Sequence, residues 1–255
     1  MVQIENVSKG CGQCRDSEPL GFDFSYAFQP LVDTAGHTVF AHEALVRGVG
    51  GEGAAAVLSR VTDDNRYRFD QACRRKAIEI ASRLGMQSAL SINFLPNAIY
   101  RPELCIRSTL AAAQEYGFPV ERIIFETVEG ERVNDGKWLA EILREYRRIG
   151  FLTAIDDFGA GFAGLNLLAD FQPDIVKLDM ELVRDVDQHP ARRTIVGSVF
   201  AMCQELSIKV IAEGVEREDE ARCLRDLGIT LMQGYYFSKP VFERVVRDEC
   251  ISWVP

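Results

Sequence analysis

Eight short apolar runs alternate with amphipathic stretches along this chain, and that rhythm narrows the fold more than any other feature. The runs are FSYAFQPLV (24–32), VFAHEALV (39–46), SALSINF (88–94), RIIFETV (122–128), FLTAIDDF (151–158), DIVKLD (174–179), KVIAEGV (209–215) and ITLMQGYYF (229–237). Each has strand length and a strand-like composition. Helical patterns cover 68–85, 135–150, 191–207 and 217–228, and Gly85, Gly150 and Gly228 stand where helices stop. Strands alternating with helices imply an α/β fold with a parallel sheet. Eight of them in about 230 residues fit a TIM-like (β/α)8 barrel. Only TAGHT (34–38) joins the first run to the second. A parallel crossover needs a dozen residues or more, so the first strand is expected to be antiparallel.

Polar residues suited to divalent cations fall inside or at the ends of these runs. They are Glu43, Asn93, Glu126, Asp156, Asp157, Lys177, Glu213 and Gln233, from seven of the eight runs. A single acid in a strand reads equally well as an edge residue or a salt-bridge partner. Barrel strands are covered on both faces, so acids repeated across the ring are paired or metal-bound. Active sites of such barrels are built at the C-terminal strand ends. Carboxylates converging near 4 Å repel by roughly 4 kcal/mol per close pair at an effective dielectric near 20. Two divalent ions would reverse that repulsion, and an all-oxygen donor set favours Mg²⁺ or Mn²⁺ over zinc. In HEALVR, period-2 alternation puts Glu43, Leu45 and Arg47 on one face and turns His42 outward, under a helix. Asp156 and Asp157 are adjacent and converge only where their strand ends, with Gly159 and Gly161 supplying the turn.

The remaining composition excludes more than it asserts. No run of 18 apolar residues and no secretory signal is visible, so a cytoplasmic protein without a membrane segment is expected. Of seven cysteines, Cys73, Cys105, Cys203, Cys223 and Cys250 stand singly and read as reduced, buried thiols. The net charge of −9 and the lack of a basic patch argue against a duplex nucleic-acid partner. That balance leaves a phosphate substrate open, because bound cations turn such a site positive. The basic run Arg74-Arg75-Lys76-Ala77 reads as the solvated face of a helix, and Trp138 as packing. Residues 1–20 read as an N-terminal extension and 21–255 as one domain. Cys11 and Cys14, in a Cys-x-x-Cys pair, supply half of a four-ligand zinc site and read as a thiol-bearing tail.

Taken together, HEALVR (42–47), SINFLP (91–96), FETVE (125–129), AIDDFGAGFAGLNLL (154–168), PDIVKLD (173–179), IAEGVE (211–216) and QGYYFSKP (233–240) resemble the EAL-domain phosphodiesterases, over about residues 22–245. The resemblance implies hydrolysis of cyclic-di-GMP to linear pGpG and a barrel with an antiparallel first strand. It implies that Glu43, Asn93, Glu126 and Asp156 ligate one divalent ion, Mg²⁺ or Mn²⁺. Asp156 would bridge to a second ion held with Asp157 and faced by Glu213. Lys177 resembles the lysine that contacts the nucleophilic water, and Glu213 is the candidate proton acceptor. Arg47, Leu45 and Gln233 resemble substrate-site residues, with Arg47 on the phosphate. Glu129 resembles the glutamate that anchors the loop after the tandem aspartates. A homodimer and a separate regulatory protein are the expected partners besides the nucleotide. Two departures stand out: Val128 where the family usually carries Thr, and Ala160, Phe162, Ala163 and Gly164 in place of polar loop residues. They leave open a catalytically silent domain that acts as a cyclic-di-GMP receptor or protein-interaction module. The IVKLD run alone would also suit a barrel that stabilises an enolate, but the order of the other motifs argues against it.

Overall fold

A computed structural model describes residues 20–99, 101–128, 136–161 and 164–254. Cys11, Cys14, Glu129, Phe162 and Ala163 lie outside the described residues. The strands are β1 (Ser25–Asp33), β2 (Thr38–Arg47), β3 (Ala89–Asn93), β4 (Ile123–Val128), β5 (Leu152–Phe158), β6 (Ile175–Leu178), β7 (Lys209–Ala212), β8 (Leu231–Met232) and β9 (Val241–Phe242). From β2 to β8 neighbours pair in parallel in sequence order. β1 pairs antiparallel with both β2 and β8 and so closes an eight-stranded ring. The short link after β1, residues 34–37, dictates that polarity, as its length predicts. β9 adds to β1 by a short antiparallel pairing.

Helices wrap the ring. They are α1 (Ala54–Leu58), α2 (Arg66–Arg83), α3 (Pro102–Cys105), α4 (Arg107–Tyr116), α5 (Gly136–Ile149), α6 (Gly164–Asp170), α7 (Met180–Val183), α8 (Pro190–Glu205) and α9 (Glu218–Asp226). Among the described residues, no helix is long and apolar enough to cross a membrane. Two differences from the sequence reading concern burial. Arg74, expected on a solvated face, is 0% exposed on α2. Cys250 is exposed, while Cys73, Cys105, Cys203 and Cys223 are buried free thiols. His42 turns away from the ring interior as the alternation predicts. It is buried, and its ring nitrogens bond Ser88 Oγ at 2.8 Å and the Val246 carbonyl oxygen at 3.1 Å. Burial pushes its pKa down to about 4.

The apolar core has two parts. The larger fills the shell between strands and helices. The smaller consists of Leu31, Ala41, Ile124, Ala154, Ile175 and Ile211, with Ala89, Leu152 and Leu231 packed against it. It is a plug inside the ring, and the site is built on it. Strand side chains repeat their face every two residues. Two residues beyond Ala41, Ala89, Ile124, Ala154, Ile175, Ile211 and Leu231 stand Glu43, Ser91, Glu126, Asp156, Lys177, Glu213 and Gln233. In antiparallel β1 the same step runs backwards, from Leu31 to Gln29. The interior is thus one apolar layer capped by one polar layer at the C-terminal strand ends.

Candidate active site

Lys177 stands at the centre of the polar layer and is 0% exposed. Its Nζ lies 2.8 Å from Glu213 Oε1, 3.0 Å from Asp156 Oδ1, 3.1 Å from Glu126 Oε2 and 3.6 Å from Glu43 Oε2. Asn93 Nδ2 donates to Glu43 Oε1 at 3.1 Å, which leaves Asn93 Oδ1 as the atom to offer a cation. Gln233 Nε2 donates to Glu43 Oε2 at 2.8 Å. The Oε1 of Gln233 is buried with no hydrogen-bond partner. A buried amide oxygen of this kind is available to accept a hydrogen bond or to ligate a cation.

Two carboxylate triads bring their oxygens within 4.8 Å of one another: Glu43, Glu126 and Asp156, and Asp156, Asp157 and Glu213. They share Asp156. That sharing depends on an irregularity in β5. The β5–β6 register shifts between Ile155 and Phe158, and Asp157 adopts φ 53°. A left-handed aspartate is strained by about 1–2 kcal/mol, and its bulge lets consecutive side chains reach the same rim. Asp157 N then donates to Asp156 Oδ1 at 3.1 Å.

The electrostatics are those of an anionic nest around one cation. Burial pushes the Glu126 carboxyl up to about 8, reinforced by Glu43 and Asp156 against the opposing pull of Lys177. Burial also raises Glu213 well above the carboxylate range. Asp157 rises to about 6, through burial and the charges of Asp156 and Asp179. At Asp156 burial acts upward, but the Lys177 charge together with hydrogen bonds from Glu213 and Lys177 brings the net shift downward. Lys177 is held protonated, its four acidic neighbours outweighing its desolvation. The nest suits additional positive charge. A third acidic group, Asp185, Asp187 and Glu220, already has its cation: Arg217 Nη2 lies 3.0 Å from Asp185 Oδ1 and 3.2 Å from Glu220 Oε1.

A cleft of about 300 Å³ opens over this layer, lined by Glu43, Asp157, Glu213 and Gln233. Gln29, Gly214, Glu216 and the exposed Met180 and Tyr235 complete its wall. Arg47 and Leu45 are not among these lining residues. Arg47 is half-buried at the end of β2, its Nη1 donating to the Val46 carbonyl, and Leu45 is half-buried beside it. Gln29 escaped the sequence reading, although a glutamine inside the apolar run FSYAFQPLV was a visible signal. Glu216 and Tyr235 lie in the quoted motifs, but nothing in their spacing set them apart.

The EAL domain model matches residues 20–240, and the chain belongs to the EAL domain family. It is 32% identical over 215 residues to the blue light- and temperature-regulated antirepressor BluF of Escherichia coli K12, covering 84% of this chain and 53% of that protein. It is 31% identical over 179 residues to the cyclic di-GMP phosphodiesterase RocR of Pseudomonas aeruginosa, covering 70% of this chain and 44% of that protein. The chain therefore spans about half, or less, of the length of these relatives. Among solved structures, a standalone versatile EAL protein from Vibrio cholerae O395 in a c-di-GMP bound form superposes with a TM-score of 0.87. It is 53% identical, over 90% of this chain and 97% of that one. Klebsiella pneumoniae BlrP1, in a manganese and cyclic-di-GMP complex, gives a TM-score of 0.82 at 35% identity, over 86% of this chain and 56% of that one.

Proposed function

We propose that this chain hydrolyses cyclic-di-GMP to linear pGpG with two divalent cations, Mg²⁺ or Mn²⁺. The observation that carries the reading is the pair of all-oxygen triads sharing Asp156 around a buried lysine. Hard oxygen donors in this number suit Mg²⁺ or Mn²⁺. Glu43, Asn93, Glu126 and Asp156 would hold one ion, and Asp156, Asp157 and Glu213 the other. Such a pair lowers the pKa of a bound water and neutralises charge on the phosphate.

The residues of the chain do the rest. Lys177, kept protonated by its acidic neighbours, directs an N–H toward the attacking oxygen. Glu213, 2.8 Å from the Lys177 ammonium, would in its ionised form take the proton that water gives up. Arg47 would pair with the phosphate, with Leu45 and Gln233 lining the substrate path. Glu129 would anchor the loop that follows Asp157. A cytoplasmic setting fits a nucleotide substrate and free buried thiols. Homodimerisation and a separate regulator complete the proposal.

Purified protein supplied with Mn²⁺ or Mg²⁺ should convert cyclic-di-GMP to pGpG, and Glu43→Ala should abolish the conversion. Absence of turnover with both metals sinks the reading. One finding favours a second reading, a silent domain that binds the nucleotide or a protein: the BluF relative is named an antirepressor rather than an enzyme. Tight nucleotide binding without cleavage would select it.

A further inference from the structure

The buried charge pair on α2 has no part in the chemistry above, yet it touches the backbone that carries a proposed metal ligand. β3 ends at Asn93, and its ladder to β4 runs one residue further, Phe94 N donating to the Glu126 carbonyl at 3.1 Å. The next donor, Leu95 N, turns away from the sheet and donates to Asp70 Oδ1 at 3.0 Å. Pro96 follows and has no N–H to extend the ladder. Asp70 is 2% exposed. Its other oxygen lies 2.6 Å from Arg74 Nη2, and Arg74 Nη1 donates to the Tyr146 hydroxyl at 2.9 Å.

The guanidinium is boxed by aromatic rings, with centroids at 5.6 Å for Phe94, 5.1 Å for Phe125 and 5.7 Å for Tyr146. Phe94 follows Asn93 and Phe125 precedes Glu126, so the end of β3 and the middle of β4 rest on the same cation. Strand alternation sends these rings outward while Asn93 and Glu126 point into the site. An apolar pair of equal volume would serve stability as well as a buried ion pair, or better. What an apolar pair lacks is an acceptor for Leu95 N.

We infer that Asp70, held by Arg74, is a positioning residue for the metal site: through Leu95 N it fixes the end of β3 and hence the aim of Asn93 at its ion. The inference rests on the proposed role of Asn93 as a ligand. Two double variants isolate it. Arg74→Met with Asp70→Asn keeps an acceptor for Leu95 N, whereas Arg74→Met with Asp70→Leu removes it, and neither leaves an unpaired charge. Mn²⁺ affinity is read without substrate, from the free-ion electron paramagnetic resonance signal, on proteins shown folded by circular dichroism.

The Leu version should bind Mn²⁺ up to about 10-fold more weakly, the lower end of the cost of losing a partner bonded directly to a ligand, and the Asn version close to the parent. Equal affinities in the two double variants, whether both unchanged or both weakened, overturn the inference. Asn93→Ala serves as the reference. If it leaves Mn²⁺ affinity unchanged, the ligand assignment falls and this inference falls with it. If it weakens binding while the double variants match each other, the positioning role alone is lost. Should either double variant fail to fold, a backbone ester at position 95 removes only the N–H. It must weaken Mn²⁺ likewise, and unchanged affinity overturns the inference.

Discussion

Lys177→Met replaces the one buried cation of the nest with an apolar chain of similar length. Four carboxylates lie within 4 Å of that cation, at 2.8 to 3.6 Å. At an effective dielectric near 20, each close contact is worth roughly 5–6 kcal/mol. The full sum is never lost, because carboxyls released from the lysine take up protons. Glu126 already titrates at about 8 and Glu213 well above its usual range. The net loss in metal-free protein should then match other broken buried pairs, roughly 3–5 kcal/mol. For a chain of this size that lowers Tm by about 10 °C. The deficit should depend on pH in a definite sense. Removing the cation raises the folded-state pKa values of Glu126 and Glu213 further above their unfolded values and takes away the charge that holds Asp156 down. The folded state then binds the extra protons more tightly, so stability is retained at low pH and lost as pH rises through the folded values. Thermal melts with a chelator should show a small deficit near pH 5 and a large one above about pH 8, with Mn²⁺ restoring most of it. Metal-free Lys177→Met melting with the parent at both pH values would refute the reasoning.

Two further outcomes are expected. Because burial pushes Glu126 up to about 8 and raises Glu213 in the same direction, Mn²⁺ uptake at pH 6–7 should release protons, and the apparent affinity should climb toward pH 8. Calorimetry in buffers of different ionisation enthalpy checks this, and a pH-independent affinity contradicts it. Gly234→Ala should destabilise the fold by roughly 2–3 kcal/mol in urea, since a Cβ there would fall inside the Val215 backbone oxygen and nitrogen, which cannot move aside. An unchanged urea midpoint contradicts that packing.

Much of the barrel was legible because strand length and apolar run length coincide from the first run to the sixth. The last two runs overshoot. β7 stops at Ala212 and β8 at Met232, because the chain turns past Gly214 and packs Gly234 against Val215. The convergence of Glu43, Glu126, Asp156, Lys177 and Glu213 was readable as acids embedded in apolar runs, since a covered strand tolerates charge only where charges meet. Asp157 joined them through a bulge that no periodicity announces. Gln29 was missed because β1 runs opposite to its neighbours, which places its polar residue before the plug residue rather than after it. Arg74 was misread because a basic run looks like a solvated face. Its burial depends on Asp70 one turn earlier and on three rings brought in from the residue after β3, from β4 and from α5.

Crystals of the protein with Mn²⁺ and cyclic-di-GMP, measured at the manganese absorption edge, would count the ions directly. The account predicts two anomalous peaks about 3.5–4 Å apart, with Asp156 bridging, Glu43, Asn93 and Glu126 on one side, and Asp157 and Glu213 on the other. A single peak, or peaks away from the rim above the Leu31–Ile211 plug, would contradict it.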